Sequence, residues 1–419
     1  MPDSRELGYV VDAGSSSWAS LEIDQHESNP DLRWPKSVEV ADRMRREDSQ
    51  VKSVLSAVTL PIRSASWALD PTGVREEVLG KIADDMGLPV RGRVVEPRKR
   101  GRKRFSWSEH LRLALLELPH GHSYFEQVYR VDEDGYDRLH KLAWRPPRTI
   151  ERFDVARDGG LNAIKQRGAK LPIPVDNLVA YVNEREGGNW AGESILRAAY
   201  KNWLLKDKIL RSQSLTIDRN GLGVPIYEGA PVPEGASAAE RDQWITAERE
   251  NGLAVAKAFR AGDTAGASIP NGAKLTLRGV EGDLPDTDGP VRYHDEQIAR
   301  AVLAHFLNLG TETGSWALGS TFANFFTDSL NATSGHVAGV LQRHVVEDLV
   351  DANWGESEPA PQIVAATIGE EQPATAEAIK SLVDCGAIRT DRSLEEYLRQ
   401  RYRLPVKDAP TTMQPKEGE

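Results

Sequence analysis

A glycine-rich loop at residues 187–192 divides the chain into two parts of different character, and this division constrains the fold more than any other feature. Before the loop, from residue 36 to 185, short apolar segments separated by turn residues predict several strands and a few helices. After the loop, a helical pattern runs from Ser194 to Asp218 and ends at a Gly-Leu-Gly-Val-Pro segment. The sequence therefore predicts an elongated subunit of the α+β class.

Local signals place individual elements before the loop. Asp48 is suited to the N-cap of a helix, because apolar residues follow it at helical spacing, and Pro61 is expected to end or bend that helix. The other predictions in this part are a strand at 62–69, a helix at 74–86 with Gly87 as its C-cap, and a hairpin turn at 132–135.

After the loop, two long helical regions flank a β/α insert. The insert is predicted to contain strands near 224–228 and 274–280 and a helix at 238–261. A helix at 293–307 and a Gly/Thr/Ser-rich loop at 308–320 follow. The second long helix, 321–353, is expected to kink at Ser334-Gly335 and Gly339. The remaining predictions are a polar arm at 1–35, helices near 374–384 and 393–402, and a disordered tail at 405–419.

The charge of the chain is unevenly distributed. The net charge is −10, yet residues 91–104 hold eight Lys/Arg and one Glu, a local +7 that leaves −17 for the rest. A mostly acidic body does not indicate tight wrapping of nucleic acid. The basic segment is open to three interpretations: a solvated loop, a contact with an acidic protein partner, or a contact with phosphate or DNA through Arg98, Lys99, Arg100, Arg102, Lys103 and Arg104.

The sequence predicts no catalytic residue, no cofactor and no metal site. His120 and His122 lack partners at the spacing of metal ligands, and Asp286-Thr-Asp288-Gly289 lacks the closing glutamate of a calcium loop. Cys385 is the only cysteine, so neither a disulfide framework nor a thiolate cluster can form within one chain. No apolar run approaches the ~18–20 residues of a membrane-spanning helix.

Several short segments occur in a particular order along the chain. They are Trp67-Ala-Leu-Asp-Pro71, Gly121-His-Ser-Tyr-Phe-Glu126, Trp144-Arg-Pro-Pro147, Gly192-Glu-Ser-Ile-Leu196, Ile269-Pro-Asn-Gly272, Asn353-Trp-Gly355 and Leu382-Val-Asp-Cys-Gly386. The order of these segments resembles that in the portal proteins of tailed bacteriophages, and the resemblance covers about residues 36–405. The resemblance is to the branch typified by the Mu-like portal and, more distantly, to portals of the HK97 type.

The resemblance implies a structural protein rather than an enzyme. Portals of this family form a ring, usually of twelve copies, at one vertex of the capsid, and double-stranded DNA is packaged and ejected through the central channel. Terminase and the head-tail adaptor would dock on the ring, and the major capsid protein would surround it. The expected location is therefore the virion, after assembly in the host cytoplasm.

The resemblance also implies a division of the chain into parts. These are an N-terminal arm (1–35), a wing (36–190), a stem helix (191–219), a clip (220–290), a second stem helix (291–307), a tunnel loop (308–320), a kinked helix with wing return (321–360), a crown (361–404) and a tail (405–419).

Two sets of residues would carry the function of such a ring. The loop 308–320 would line the channel with Thr311, Glu312, Thr313, Ser315 and Trp316, because hydroxyls and a repeated negative charge let a duplex slide without being trapped; a plain surface loop is the alternative. Ile195, Ala199 and Trp203 form one stripe on the first stem helix. The stripe is either an interface between subunits or ordinary core packing.

Two other classes of function stay open at this stage. The chain could be another structural protein of a phage head or tail connector. It could also be a nucleic-acid-processing enzyme or DNA-binding protein that uses the basic segment 91–104.

Overall fold

The structure is a computed structural model of the 419-residue chain, and it describes residues 27–93, 104–156, 158–220, 224–258, 268–278, 286–303, 316–369 and 395. The chain divides into two units, Met1–Ala366 and Thr367–Glu419. The helices of the first unit are α1 (Lys36–Glu47), α2 (Ser49–Ser64), α3 (Glu76–Met86), α4 (Trp107–Ala114), α5 (Glu117–His120), α6 (Tyr200–Asn220), α7 (Ala238–Ala258), α8 (Asp288–Leu303), α9 (Trp316–Leu341) and α10 (Glu347–Trp354).

In the described residues the strands form four small antiparallel sheets, with orders β1-β10, β3-β2-β7, β4-β5-β6 and β8-β9. The mixed helix and strand content confirms the predicted α+β class. The strands are β1 (Trp67–Asp70), β2 (His122–Val131), β3 (Asp137–Arg145), β4 (Ile150–Val155), β5 (Leu161–Gln166), β6 (Ile173–Pro174), β7 (Leu178–Val182), β8 (Val224–Glu228), β9 (Lys274–Arg278) and β10 (Gln362–Ala365).

The first two helices meet at Asp48. As predicted, Asp48 caps α2, and its Oδ1 accepts hydrogen bonds from Gln50 N at 2.8 Å and Val51 N at 3.0 Å. The expectation that Pro61 ends this helix is wrong, because α2 continues to Ser64 and the amide of Ala65 donates to Pro61 O. The strand predicted at 62–69 therefore begins only at Trp67. Helix α1 was not predicted.

Helix α6 begins later than the helical pattern from Ser194 indicated. Residues 195–199 are turns, and α6 starts at Tyr200. This stretch docks on the segment before β2: Ile195 N donates to Leu118 O at 2.9 Å, and Ser194 Oγ donates to Pro119 O at 2.6 Å. The amides of Arg197 and Ala199 donate only three residues back, to Ser194 O and Leu196 O, so turns replace the four-residue ladder of an α-helix.

The second long helical region contains a π-helical turn that the sequence did not predict. Helix α9 passes through Ser334, Gly335 and Gly339, and the π-helical turn follows at Gln342–Val346 before α10. This turn is held from outside, since Gln127 Nε2 of β2 donates to His344 O at 2.5 Å. The kink expected at Ser334-Gly335 and Gly339 stays a prediction.

Candidate functional site

Two glycines hold the junction between the β-rich part and helix α6. Gly121 has φ +85° and Gly192 has φ +64°, a region that side chains with a Cβ rarely adopt. The two residues also touch: a Cβ on Gly192 would lie 2.2 Å from Gly121 O, and a Cβ on Gly121 would lie 2.5 Å from Ala191 O. The glycines of the two sequence motifs therefore fit against each other, and this contact places the start of α6.

The predicted stem stripe packs inside the chain. Ala199 is fully buried, Trp203 is 6% exposed, and both belong to a core cluster with Val40, Met44 and Ile298. Ile195 packs against the same cluster. Core packing, the second alternative for this stripe, accounts for its burial, so a neighbouring subunit would have to contact other faces of α6.

A buried lysine ties helices α2, α6 and α8 together. Lys206 Nζ lies 2.9 Å from Asp48 Oδ2 and 2.5 Å from Asp295 Oδ1, and the residue is 6% exposed. Burial alone would lower the pKa of Lys206, but the hydrogen bonds that its ammonium donates to Asp295 and Asp48 outweigh burial and raise that pKa above its ordinary value. The lysine is therefore charged at neutral pH and is held between two carboxylates.

The exposed apolar side chains of the described residues are concentrated on α6, α8 and the insert, residues 224–278. Twelve of the sixteen large exposed hydrophobic residues lie there, and four lie elsewhere. Such a concentration marks an interaction surface, because isolated proteins rarely group apolar side chains at their surface. The twelve are Leu204, Leu205, Leu210, Leu215, Ile217, Ile226, Trp244, Ile245, Leu253, Ile269, Leu277 and Tyr293.

The insert is a thin unit held by one close contact. Gly252 of α7 lies against the ring of Tyr227 in β8, and a Cβ at Gly252 would be 2.3 Å from Tyr227 Cδ1. Tyr227 Oη donates to Glu248 Oε1 at 2.7 Å, and Ala230 N donates to the same oxygen at 3.0 Å. An isolated two-stranded hairpin is only marginally stable, and packing against a helix adds to its stability. The contact between Tyr227 and Gly252 is therefore part of what keeps the insert folded.

Replacing Gly252 by alanine is expected to loosen the insert, because the Tyr227 ring must leave α7 and its bond to Glu248. Limited proteolysis should show faster cleavage within residues 224–278. Gly80→Ala in α3 is the matched control, since nothing lies within 4 Å of the Cβ position there. That control should be neutral or stabilising by up to about 1 kcal/mol. Equal protease resistance of the two variants would contradict the proposed contact.

Most of the remaining predicted site residues lie outside the described residues. This holds for Arg98, Lys99, Arg100, Arg102 and Lys103 of the basic segment and for Thr311, Glu312, Thr313 and Ser315 of the predicted tunnel loop. Arg104 is described, and its amide donates to His140 O of β3 at 2.9 Å. Trp316 to Ser320 were assigned to the loop but lie in α9, so the helix begins earlier than predicted.

The described residues provide no group of three or more His, Cys, Asp and Glu side chains that could hold a metal ion. His122 is instead buried, and its Nδ1 donates to the carbonyl of Ala191 at 2.8 Å. Burial lowers the pKa of His122 to about 4, so the ring is neutral. Within the same part of the chain, no helix is long and apolar enough to cross a membrane.

The order of these elements agrees with a known family. The family model described as the portal protein of Mu bacteriophage matches residues 38–404. The chain belongs to this family. Membership confirms the resemblance drawn from the ordered motifs, and it gives the chain the function of a phage portal protein, a structural component.

Solved structures share the fold at low sequence identity. A chain from the neck of an empty gene transfer agent particle, computed with C6 symmetry, matches with TM-score 0.51 and 14% identity over 88% of this chain and 94% of that chain. A chain from the virion of a native gene transfer agent particle matches with TM-score 0.50 and 13% identity over the same shares. An HK97 family phage portal protein from Corynebacterium diphtheriae matches with TM-score 0.42 and 13% identity over 84% of this chain and 98% of that chain.

Sequence reasoning missed the exposed apolar positions of α6. It followed the stripe at Ile195, Ala199 and Trp203, which is the buried one. The signal for the exposed set was present, since Leu204 and Leu205 are apolar residues off that stripe. A helix with apolar residues on more than one face contacts more than one neighbour.

Proposed function

We propose that the chain is one subunit of a closed ring, of about twelve copies, whose central channel carries double-stranded DNA into and out of a phage capsid. The observation that carries this proposal is the grouping of exposed apolar side chains on α6, α8 and the insert. A closed ring needs two different, complementary faces on each subunit. Apolar residues on several faces of a narrow helical region can supply both.

The parts of the subunit are proposed to follow the family pattern. Helices α6 and α8 would form the stem, because they pack on each other through Trp203 and Ile298 and through the ion pair of Lys206 with Asp295. The insert would be the clip, since it interrupts the two stem helices and has a small core of its own. Residues 36–190 with the return of α9 and α10 would be the wing, and residues 361–404 the crown.

The partners follow from the same assignment. Terminase and the head-tail adaptor would bind the clip, and the major capsid protein would contact the wing. Double-stranded DNA would pass the loop 308–315, where Glu312, repeated around the ring, would repel phosphate. The ring would lie at one vertex of the virion capsid.

The ring is tested by placing charge in the exposed apolar surface of α6. Leu215→Glu with Ile217→Glu should prevent or weaken assembly, because these side chains are 57% and 60% exposed in one subunit and would be buried between two. Mass measurement in solution and negative-stain microscopy should show rings of roughly 550 kDa, twelve copies of 46.3 kDa, for the unchanged protein and smaller species for the variant.

Leu171→Glu is the matched control for this experiment. Leu171 is an exposed apolar residue as well, at 78%, but it lies between β5 and β6, away from the stem and insert. Its replacement should leave the rings intact. Loss of assembly in the control, or normal rings from the α6 variant, would contradict the proposed interface. A chain that is monomeric in every salt condition would overturn the ring itself.

A further inference from the structure

A cavity of about 320 Å³ lies beside the junction where the chain enters α6. Its walls come from the segment that leads into α1, from α1 itself and from the loop 184–194. Its apolar lining includes Leu32, Trp34, Val40, Met44 and Leu196, and polar and charged side chains make up much of the rest. A cavity of this size with apolar walls and convergent polar groups has the general form of a small-ligand site.

The charge around the cavity is negative. Four carboxylates line it, those of Glu27, Glu184, Glu186 and Glu193, against the one guanidinium of Arg197. Arg197 Nε lies 2.6 Å from Glu27 Oε2 and 3.9 Å from Glu193 Oε2. The excess of carboxylates disfavours an anion and favours a cation.

Buried polar atoms without partners belong to the same walls. His120 is 6% exposed, and its Nδ1 has no hydrogen-bond partner among the described residues. Burial lowers the pKa of His120 to about 3, so the ring is neutral, and its Nε2 lies 3.5 Å from Asp42 Oδ1. A neutral ring with its proton toward Asp42 leaves Nδ1 as an acceptor.

Two further lining residues also have a buried polar atom without a hydrogen-bond partner among the described residues. Asn189 Oδ1 is a buried acceptor without a partner, and Trp34 Nε1 is a buried donor without one. Unpartnered polar atoms are costly inside a protein, at about 1–3 kcal/mol each, unless a ligand or water completes them. Acceptors and carboxylates outnumber donors here, so a donor-rich ligand is the complementary one.

We propose that this cavity binds the ammonium group of an aliphatic amine, with the ammonium held by the carboxylates and the carbon chain against the apolar lining residues. An ammonium group offers three donors and no acceptor, which matches the acceptor-rich walls. Its carbon chain can lie on apolar surface while the charged end reaches the carboxylates. The amine can be free, as a diamine, or can be the lysine side chain of another protein molecule. The site goes beyond the portal function and does not depend on it.

The test is isothermal titration of the whole protein with 1,5-diaminopentane and, separately, with 1,5-pentanediol. The two molecules have the same length, but only the diamine is charged. The diamine should bind once per subunit, and the diol should bind at least about tenfold more weakly. Equal binding of both, or no binding of the diamine, would overturn the proposal.

Variants locate the binding in the cavity. Glu186→Gln with Glu193→Gln removes two charges at constant size and should weaken diamine binding by about tenfold or more. Glu133→Gln with Asp134→Asn, in the exposed turn between β2 and β3, is the charge-matched control and should bind as the unchanged protein does. Ser37→Leu on α1 fills the cavity and should abolish binding, while circular dichroism shows that the fold is kept. Unchanged binding in the filled variant would place the amine elsewhere and refute the site.

A lysine-containing tripeptide with blocked ends separates the two sources of the amine. Binding of this peptide at the same site, with the same loss in the Glu186/Glu193 variant, would show that a protein side chain can occupy the cavity. Binding of the diamine alone would restrict the site to free amines. Either result supports the ammonium site.

Discussion

Replacing Lys206 by methionine is expected to lower the free energy of unfolding of the subunit by about 3–5 kcal/mol. Methionine keeps much of the chain length but removes the charge, so Asp48 and Asp295 lose the ammonium that lies between them. A buried carboxylate without a counter-charge is far more costly than an exposed one. The measurement is the denaturant unfolding curve of the variant against that of the unchanged protein.

Arg211→Met is the matched control on the same helix. Arg211 also pairs with a carboxylate, Asp207, at 2.8 Å, but its side chain is 72% exposed. An exposed pair of this kind contributes about 0–1 kcal/mol, so the control should lose little stability. Similar losses in the two variants would show that the Lys206 cluster does not hold α6 and α8 to α2.

The Lys206 cluster also has a defined dependence on pH. The opposing effect of burial on the folded-state pKa of Lys206 is outweighed by the hydrogen bonds that its ammonium donates to Asp295 and Asp48, so that pKa is raised. The stabilisation is therefore fully present below the ordinary lysine pKa and is lost as the pH rises through the raised value. The difference in stability between the unchanged protein and Lys206→Met should be constant near neutral pH and should shrink only in strongly alkaline solution.

The sequence predictions that succeeded are those governed by short-range chemistry. Asp48 caps α2 because its side chain reaches amides two and three residues away, and Gly87 ends α3 with φ +63° because a glycine tolerates that conformation. The turn at residues 132–135 forms because Asp132 accepts from nearby amides. Each of these signals lies within a few residues of the structure that it predicts.

The predictions that failed depend on partners far away in the sequence. Residues 194–195 bond to the chain at Leu118 and Pro119, and α6 begins only at Tyr200. Two further features were not predicted at all: the turn at Gln342–Val346, which is held by Gln127, and the pairing of β1 with β10 nearly three hundred residues later. Periodicity within one segment carries no information about such contacts. For the candidate site, it identified an apolar stripe on α6 but could not show which face the rest of the subunit covers.

A second large loss of stability is expected from changes at Gly121 and Gly192, the two glycines at the junction before α6. Gly192→Ala is expected to lower the free energy of unfolding by about 2–3 kcal/mol, because two costs combine. The φ of +64° is unfavourable for alanine by roughly 1–2 kcal/mol. The new Cβ would also lie 2.2 Å from Gly121 O, so the two backbones must separate. That separation weakens the hydrogen bond from Asn183 N to Gly121 O, now 2.8 Å long, at a further cost of about 1 kcal/mol.

Gly135→Ala is the control that separates the cost of the positive φ from the cost of the close contact. Gly135 has φ +89° in the turn between β2 and β3, but nothing lies within 4 Å of its Cβ position. This control should therefore show only the conformational cost of about 1–2 kcal/mol. The excess loss in Gly192→Ala then measures the close approach of the two backbones, and Gly121→Ala should show a similar excess, since its Cβ would lie 2.5 Å from Ala191 O. If all three variants lose the same stability in denaturant unfolding, the contact between the motif glycines does not position α6, and their presence reflects turn conformation alone.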